Sequence, residues 1–183
     1  APNRAQGLRL WWTDEGLRIE ERLTGALLVT MSTAAIGRPD SQRTLGPAPA
    51  RESAGAARRV ERHWEGVSEW WDNRAEGVEH GWTLSQRPGG GGPLVLSVKV
   101  ASARVVVGEK TAALTAASGT ALEYGKLAAY DASGRSLPAR LAQDADGLRI
   151  EVEDAEAQYP LTIDPLLTPT AWTAEPNQAG AQF

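Results

Sequence analysis

Leu94-Val-Leu-Ser-Val-Lys-Val100 decides the fold class, because its apolar side chains stand at 94, 96, 98 and 100, the period-two alternation of a strand with one face against a core. Such a strand needs a partner sheet. Downstream, short β-favouring runs recur at 104–107, 112–115, 121–124, 126–130, 137–141, 147–152 and 159–163, separated by turns containing Gly or Asp. Recurrence every eight to twelve residues or so is the signature of an antiparallel sandwich or barrel. Upstream, 8–12 and 17–23 flank Thr13-Asp-Glu-Gly16, which reads as a hairpin with a four-residue loop. The apolar run 26–31 has the length of a buried strand, and 36–57 collects Pro39, Pro47 and Pro49, which predicts an irregular surface loop. Residues 59–64, 67–72 and 78–84 form a three-strand meander in which Trp64, Trp70 or Trp71, and Trp82 face one another across strands. Gly89-Gly-Gly-Gly92, between Pro88 and Pro93, reads as the tip of a long hairpin within one domain, with a sub-boundary at 88–93 as the alternative. The expected fold is an all-β antiparallel sandwich of many short strands with little or no helix. Gly-Leu-Arg recurs at 7, 16 and 147, but at unequal intervals, so it marks turn-then-strand chemistry and not a repeat.

A chain of 183 residues is long enough to bury a core without cross-links. Cysteine is absent, which excludes disulfides, zinc ribbons and a thiol nucleophile but fits either a reducing or an oxidising compartment. The net charge of −4 is uneven. Between Arg38 and Arg62 six arginines face three acids, whereas residues 131–183 carry nine acids and three arginines. Those ends suit solvated surface or head-to-tail association. The basic stretch lacks interleaved aromatics and lysine occurs only at 99, 110 and 126, a poor footprint for nucleic acid. No run reaches the roughly 18 apolar residues of a membrane span. Ala1-Pro-Asn-Arg4 carries no leader pattern, as expected of a secreted chain whose signal peptide is gone.

Candidate chemistry is sparse. His63 and His80 are the only histidines, and a metal site built from them with Glu61, Glu69 or Glu79 has too few ligands of certain register. Asp144-Ala-Asp-Gly147 begins like a calcium loop but continues as a strand, so it reads as a turn. The polyglycine has no Lys-Ser/Thr sequel, no Gly-x-Ser-x-Gly elbow occurs, and Glu151 and Glu153 share a strand face without a cleft. The expectation is a protein that is not an enzyme, with no catalytic residue, no metal and no cofactor.

Seven tryptophans stand against one phenylalanine, so tryptophan must fill much of the core. In the adjacent pairs Trp11-Trp12 and Trp70-Trp71 one ring of each faces away from the core. These four are the candidate glycan platform, with packing as the competing reading.

The C-terminal stretch Ala157-Gln-Tyr-Pro-Leu-Thr-Ile-Asp-Pro-Leu-Leu167, with 172–183 after it, resembles the junction in large secreted bacterial proteins where a β-rich module gives way to FG-GAP repeats, the blades of an integrin-α-like propeller. Residues 3–9, 69–84 and 127–141 resemble the opening, middle and last third of that module, while 26–59 departs from it. The resemblance implies a module over 1–167, with 168–183 a connector or the start of a first FG-GAP repeat whose anchors are Trp172 and Phe183. It implies a non-enzymatic structural or interaction module, extracellular or on the cell surface, whose partner is an adjoining propeller or another copy of itself. Two alternatives stay open: a self-assembling filament subunit joined through its tail, and a carbohydrate-binding module, an adhesion role on surface glycans, using exposed tryptophans.

Overall fold

The computed structural model describes residues 1–49, 51–52, 59–108 and 110–170. Its strands are β1 (Pro2–Asn3), β2 (Leu8–Thr13), β3 (Gly16–Glu21), β4 (Leu27–Arg38), β5 (Ser41–Thr44), β6 (Arg51–Glu52), β7 (Arg59–Trp64), β8 (Val67–Arg74), β9 (Gly77–Leu84), β10 (Leu94–Ala101), β11 (Ala103–Val107), β12 (Ala112–Ala116), β13 (Ala121–Tyr130), β14 (Ala139–Asp144), β15 (Gly147–Val152) and β16 (Leu161–Pro169). They form two packed antiparallel sheets, a β-sandwich with no helix among the described residues. The first sheet has the order β1-β2-β3-β4-β10-β15-β14, with β5 also on β4, and the second β11-β12-β13-β16-β9-β8-β7-β6.

The core lies between the two faces. Ile19, Met31, Leu96 and Ile150 come from the first sheet, Trp82, Leu114, Tyr124 and Ile163 from the second, and all are buried. β10 faces a partner sheet, as its alternation required, and it lies centrally in its own, paired with β4 on one side and β15 on the other.

Several expectations shift by a few residues. Thr13 pairs directly with Gly16, so the first hairpin has a two-residue loop. Gly16 is tight against β4, where an added Cβ would stand 2.1 Å from the Met31 carbonyl oxygen. The excursion expected over 36–57 begins later, because β4 continues to Arg38 and turns back into β5. The two strands expected at 121–130 are one, β13, whose register against β16 shifts between Gly125 and Ala128.

The polyglycine is not a hairpin tip. β9 is already flanked by β8 and β16 in the second sheet, and β10 by β4 and β15 in the first, so 85–93 crosses from sheet to sheet. Arg38 holds that crossing, donating to the carbonyl oxygens of Pro88 (3.2 Å) and Gly92 (3.0 Å) and forming a two-pronged pair with Asp154 at 2.6 and 2.9 Å. Tyr159 donates to the same carboxylate at 2.6 Å. Gly90, at φ +106°, leaves room for Arg38, whose Cγ would lie 2.9 Å from an added Cβ.

β16 pairs with β13 as far as Pro169, and the Thr170 amide donates to the Ala121 carbonyl. The sheet thus extends past 167. Trp172 and Phe183 lie outside the described residues.

Candidate functional site

Strand alternation places Arg62 of β7, Glu69 and Trp71 of β8, and His80 and Trp82 of β9 on the interior face of the second sheet, with Tyr124 of β13 nearby. From the first sheet comes Thr33, beside an irregularity where Val98 pairs with Thr33 but Ser97 with Ala35. A bulge of this kind re-aims a side chain.

These residues make one hydrogen-bonded line. Glu69 Oε1 accepts from Thr33 Oγ1 at 2.5 Å and from His80 Nε2 at 2.9 Å, while Oε2 accepts from Arg62 at 3.2 Å. Thr33 Oγ1 in turn accepts from the Trp82 indole at 2.9 Å. His80 Nδ1 lies 2.9 Å from the Tyr124 hydroxyl. The imidazole stacks on Trp71, centroids 3.4 Å apart and planes within 11°, with Trp82 tilted at 3.9 Å. Arg62 further donates to the carbonyl oxygens of Ala48 (3.0 Å) and Asp14.

The charges follow from this geometry. Burial pushes the Glu69 carboxyl up, but the bonds from His80 and Thr33 and the charge of Arg62 outweigh it and hold it below the usual range. Burial pushes His80 down against the pull of Glu69. Burial and the Glu69 charge push Tyr124 well above the usual phenol value. The neutral-pH state consistent with every contact is an ionised Glu69 and Arg62 with a neutral His80, which donates through Nε2 and accepts from Tyr124 at Nδ1.

A carboxylate–imidazole–hydroxyl line has the connectivity of a general-base relay. Here the terminal hydroxyl is completely buried, as are Glu69 and His80, so no substrate atom reaches it. The arrangement instead ties β7, β8, β9 and β13 to β4 across the core.

The sequence-designated residues disperse. His63 is exposed on the opposite face from His80, 2.9 Å from Ser68 Oγ and 3.5 Å from Glu61, so the two histidines cannot share a metal. No group of three or more ligating side chains that could hold a metal occurs among the described residues. Asp144 and Gly147 close the β14–β15 turn. Of the four platform tryptophans, Trp71 is interior and Trp12 packs partly against it, centroids 6.5 Å apart. Trp70 is outward but covered: Gly81 lies beneath its ring and the Arg59 guanidinium sits 4.4 Å from its centroid. Only Trp11 of the four is exposed, with its indole N–H fixed by Glu20 at 2.7 Å. Trp64 is half-buried with Arg62 against its ring, and Trp82 is core.

Sequence reasoning paired His80 with Glu69 only as part of a metal site, and it missed Thr33, Arg62 and Tyr124 altogether. The one usable signal was Glu69 and Trp71 at spacing two opposite His80 and Trp82 at spacing two, which puts all four on one sheet face once the meander register is fixed. Compared with known families, curated proteins and solved structures, the chain matches none at a significant level.

Proposed function

We propose that this chain is a non-enzymatic structural module of a bacterial extracellular or cell-surface protein, presenting or linking the element that follows residue 170. The observation that supports the reading is the placement of β16. This last described strand is threaded between β13 and β9 in the middle of the second sheet. A segment leaving from this strand is anchored by backbone ladders on both sides as far as Leu167 and by β13 alone through Pro169, so load or orientation passes into the middle of the sheet. The phrase Tyr159-Pro-Leu-Thr-Ile-Asp-Pro165, which carries the resemblance to a pre-propeller junction, is the approach to this strand and its first half.

The test has two arms. A fluorescent protein fused directly after Thr170 should tumble with the module in anisotropy decay, and ester, glycoside and phosphoester reporter substrates should be left intact. Free tumbling of the fused protein would refute the presenting role. Turnover that disappears in His80→Gln would refute the non-enzymatic one, since it would require the buried line to open to substrate.

A further inference from the structure

Where the sheets part at one end of the sandwich, a cleft of about 520 Å³ opens between β5 and the β7–β8 turn. Its volume lies in the range of about 300–1,000 Å³ that holds a small organic ligand. The floor is the rim of the core, Ile36, Val67 and Leu84, all buried. The walls are polar. On β5 the Gln42 side chain accepts from Ser97 Oγ at 3.2 Å on the outer face of the first sheet, so by alternation Ser41 and Arg43 belong to the face that continues the interior. Gln86 and Arg87 line the opposite side.

Two guanidiniums therefore line one cleft. Arg43 donates to the Glu65 carbonyl oxygen at 2.8 Å and has no carboxylate partner among the described residues. Arg87 donates to the Ala155 carbonyl oxygen at 2.7 Å and stands 3.7 Å from Asp154, a carboxylate already engaged by Arg38 and Tyr159. Its side chain stays 43% exposed. Against these two charges the lining carries one acid, Glu65.

We propose that this cleft binds a carboxylated sugar, such as a short uronic-acid segment. Planar guanidiniums recognise carboxylates in two-pronged fashion, which supplies the charge preference. The Gln86 amide, the Ser41 hydroxyl and the backbone of Gly89 suit sugar hydroxyls. No aromatic ring lines the cleft, so a neutral sugar finds no stacking platform. The site is independent of the structural role proposed above and survives or fails without it.

The experiment is amide NMR titration of the 183-residue chain with trigalacturonate, alongside maltotriose, triglutamate and inorganic phosphate. Trigalacturonate should move the amides of Gly66, Arg87 and Gly89 saturably, and more weakly as salt rises. Arg43→Gln and Arg87→Gln should each raise Kd by about tenfold or more, the scale of one lost charge-assisted hydrogen bond. Glu65→Gln should lower Kd, and Arg104→Gln on β11 should leave it unchanged. Melting temperature shows which variants remain folded; if one arginine variant does not, the other and Glu65→Gln carry the test. Absence of saturable shifts at these amides overturns the proposal. So do wild-type affinity in the folded arginine variants and equal binding of triglutamate or phosphate, which would mark a site for any anion.

Discussion

Replacing Glu69 by Gln removes one charge from the centre of the buried line while keeping side-chain volume. In the native arrangement both oxygens accept: Oε1 from Thr33 and His80, Oε2 from Arg62. A glutamine amide must turn its NH2 toward one side; Thr33 and a neutral His80 can switch to accepting, but the guanidinium of Arg62 cannot. If that side is Arg62, a guanidinium 2% exposed keeps only the carbonyls of Ala48 and Asp14. Breaking a buried pair from one side costs about 3–5 kcal/mol, a large part of the 5–15 kcal/mol or so that holds a domain together. Chemical denaturation should show a lower midpoint at unchanged slope. Adding Arg62→Met to Glu69→Gln should recover part of the loss, because it removes the stranded charge, and the pair should couple by about 1–3 kcal/mol. The titration gives a second readout. His80 is held below its ordinary value of 6.5, so the folded state binds fewer protons and stability falls as pH drops below that value. Glu69, held below 4.5, adds a further loss under that pH. His80→Gln should remove the first phase and leave the second. A cost for Glu69→Gln under about 1 kcal/mol, or strict additivity with Arg62→Met, refutes the reasoning.

Gly81→Ala should cost about 1–3 kcal/mol and alter near-ultraviolet dichroism, since its Cβ would stand 2.1 Å from the Trp70 ring; Trp70→Ala in the same chain should relieve the clash. Trp82→Ala should cost about 3–5 kcal/mol by denaturation, whereas Trp11→Ala should cost far less, because one is core and the other exposed. Asp164 is held above its ordinary value by burial and by Asp72, against Arg74 and Arg59, so its ionisation works against the fold as pH rises through that shifted range. Asp164→Asn should therefore raise the melting temperature at pH 7, and the gain should vanish toward pH 3. A chain ended after Thr170 should fold with β16 complete, whereas one ended after Leu167 loses the pairing of Thr168 and Pro169 with Glu123 and Leu122 and should melt lower.

Much of the sandwich was legible because its strands carry local signals. The meander at 59–84 emerged to within two residues, since Glu65-Gly66 and the stretch 73–77 mark its turns and each strand is held by its sequence neighbour. Non-local pairing was not legible. Nothing near Gly89–Gly92 says that β9 and β10 belong to different sheets; that follows from β16, some seventy residues later, occupying the free side of β9. The length of β4 was hidden for a related reason. Its second half, 32–38, is mixed in polarity and is strand because β10 and β5 pair with it, not because of its own pattern. The buried line was obscured by its composition, since Arg62, Glu69 and His80 on strands read as solvated residues until the register places all three on the interior face.

One gap in the first sheet accounts for most of that line. β3 pairs with β4 over 27–31 and β5 with 35–38, both on the side away from β10, so they lie end to end and leave 32 and 33 of β4 without a neighbouring strand between them, the Ala34 carbonyl being met by the Leu45 amide just past β5. Arg62 reaches this opening from the second sheet and donates to Asp14 and Ala48, carbonyls of the two segments that border it. A buried guanidinium demands a carboxylate, which Glu69 supplies from the neighbouring strand. Glu69 has a second oxygen to satisfy, which Thr33 does from the gap itself and His80 from β9. His80 is then left with one ring nitrogen in a dry core, and Tyr124 completes it. Each residue answers a polar group left by the one before, beginning from the Asp14 and Ala48 carbonyls at the opening and ending at a hydroxyl whose partner is already present. That sequence of demands explains why a catalytic-looking relay lies where no substrate can reach it.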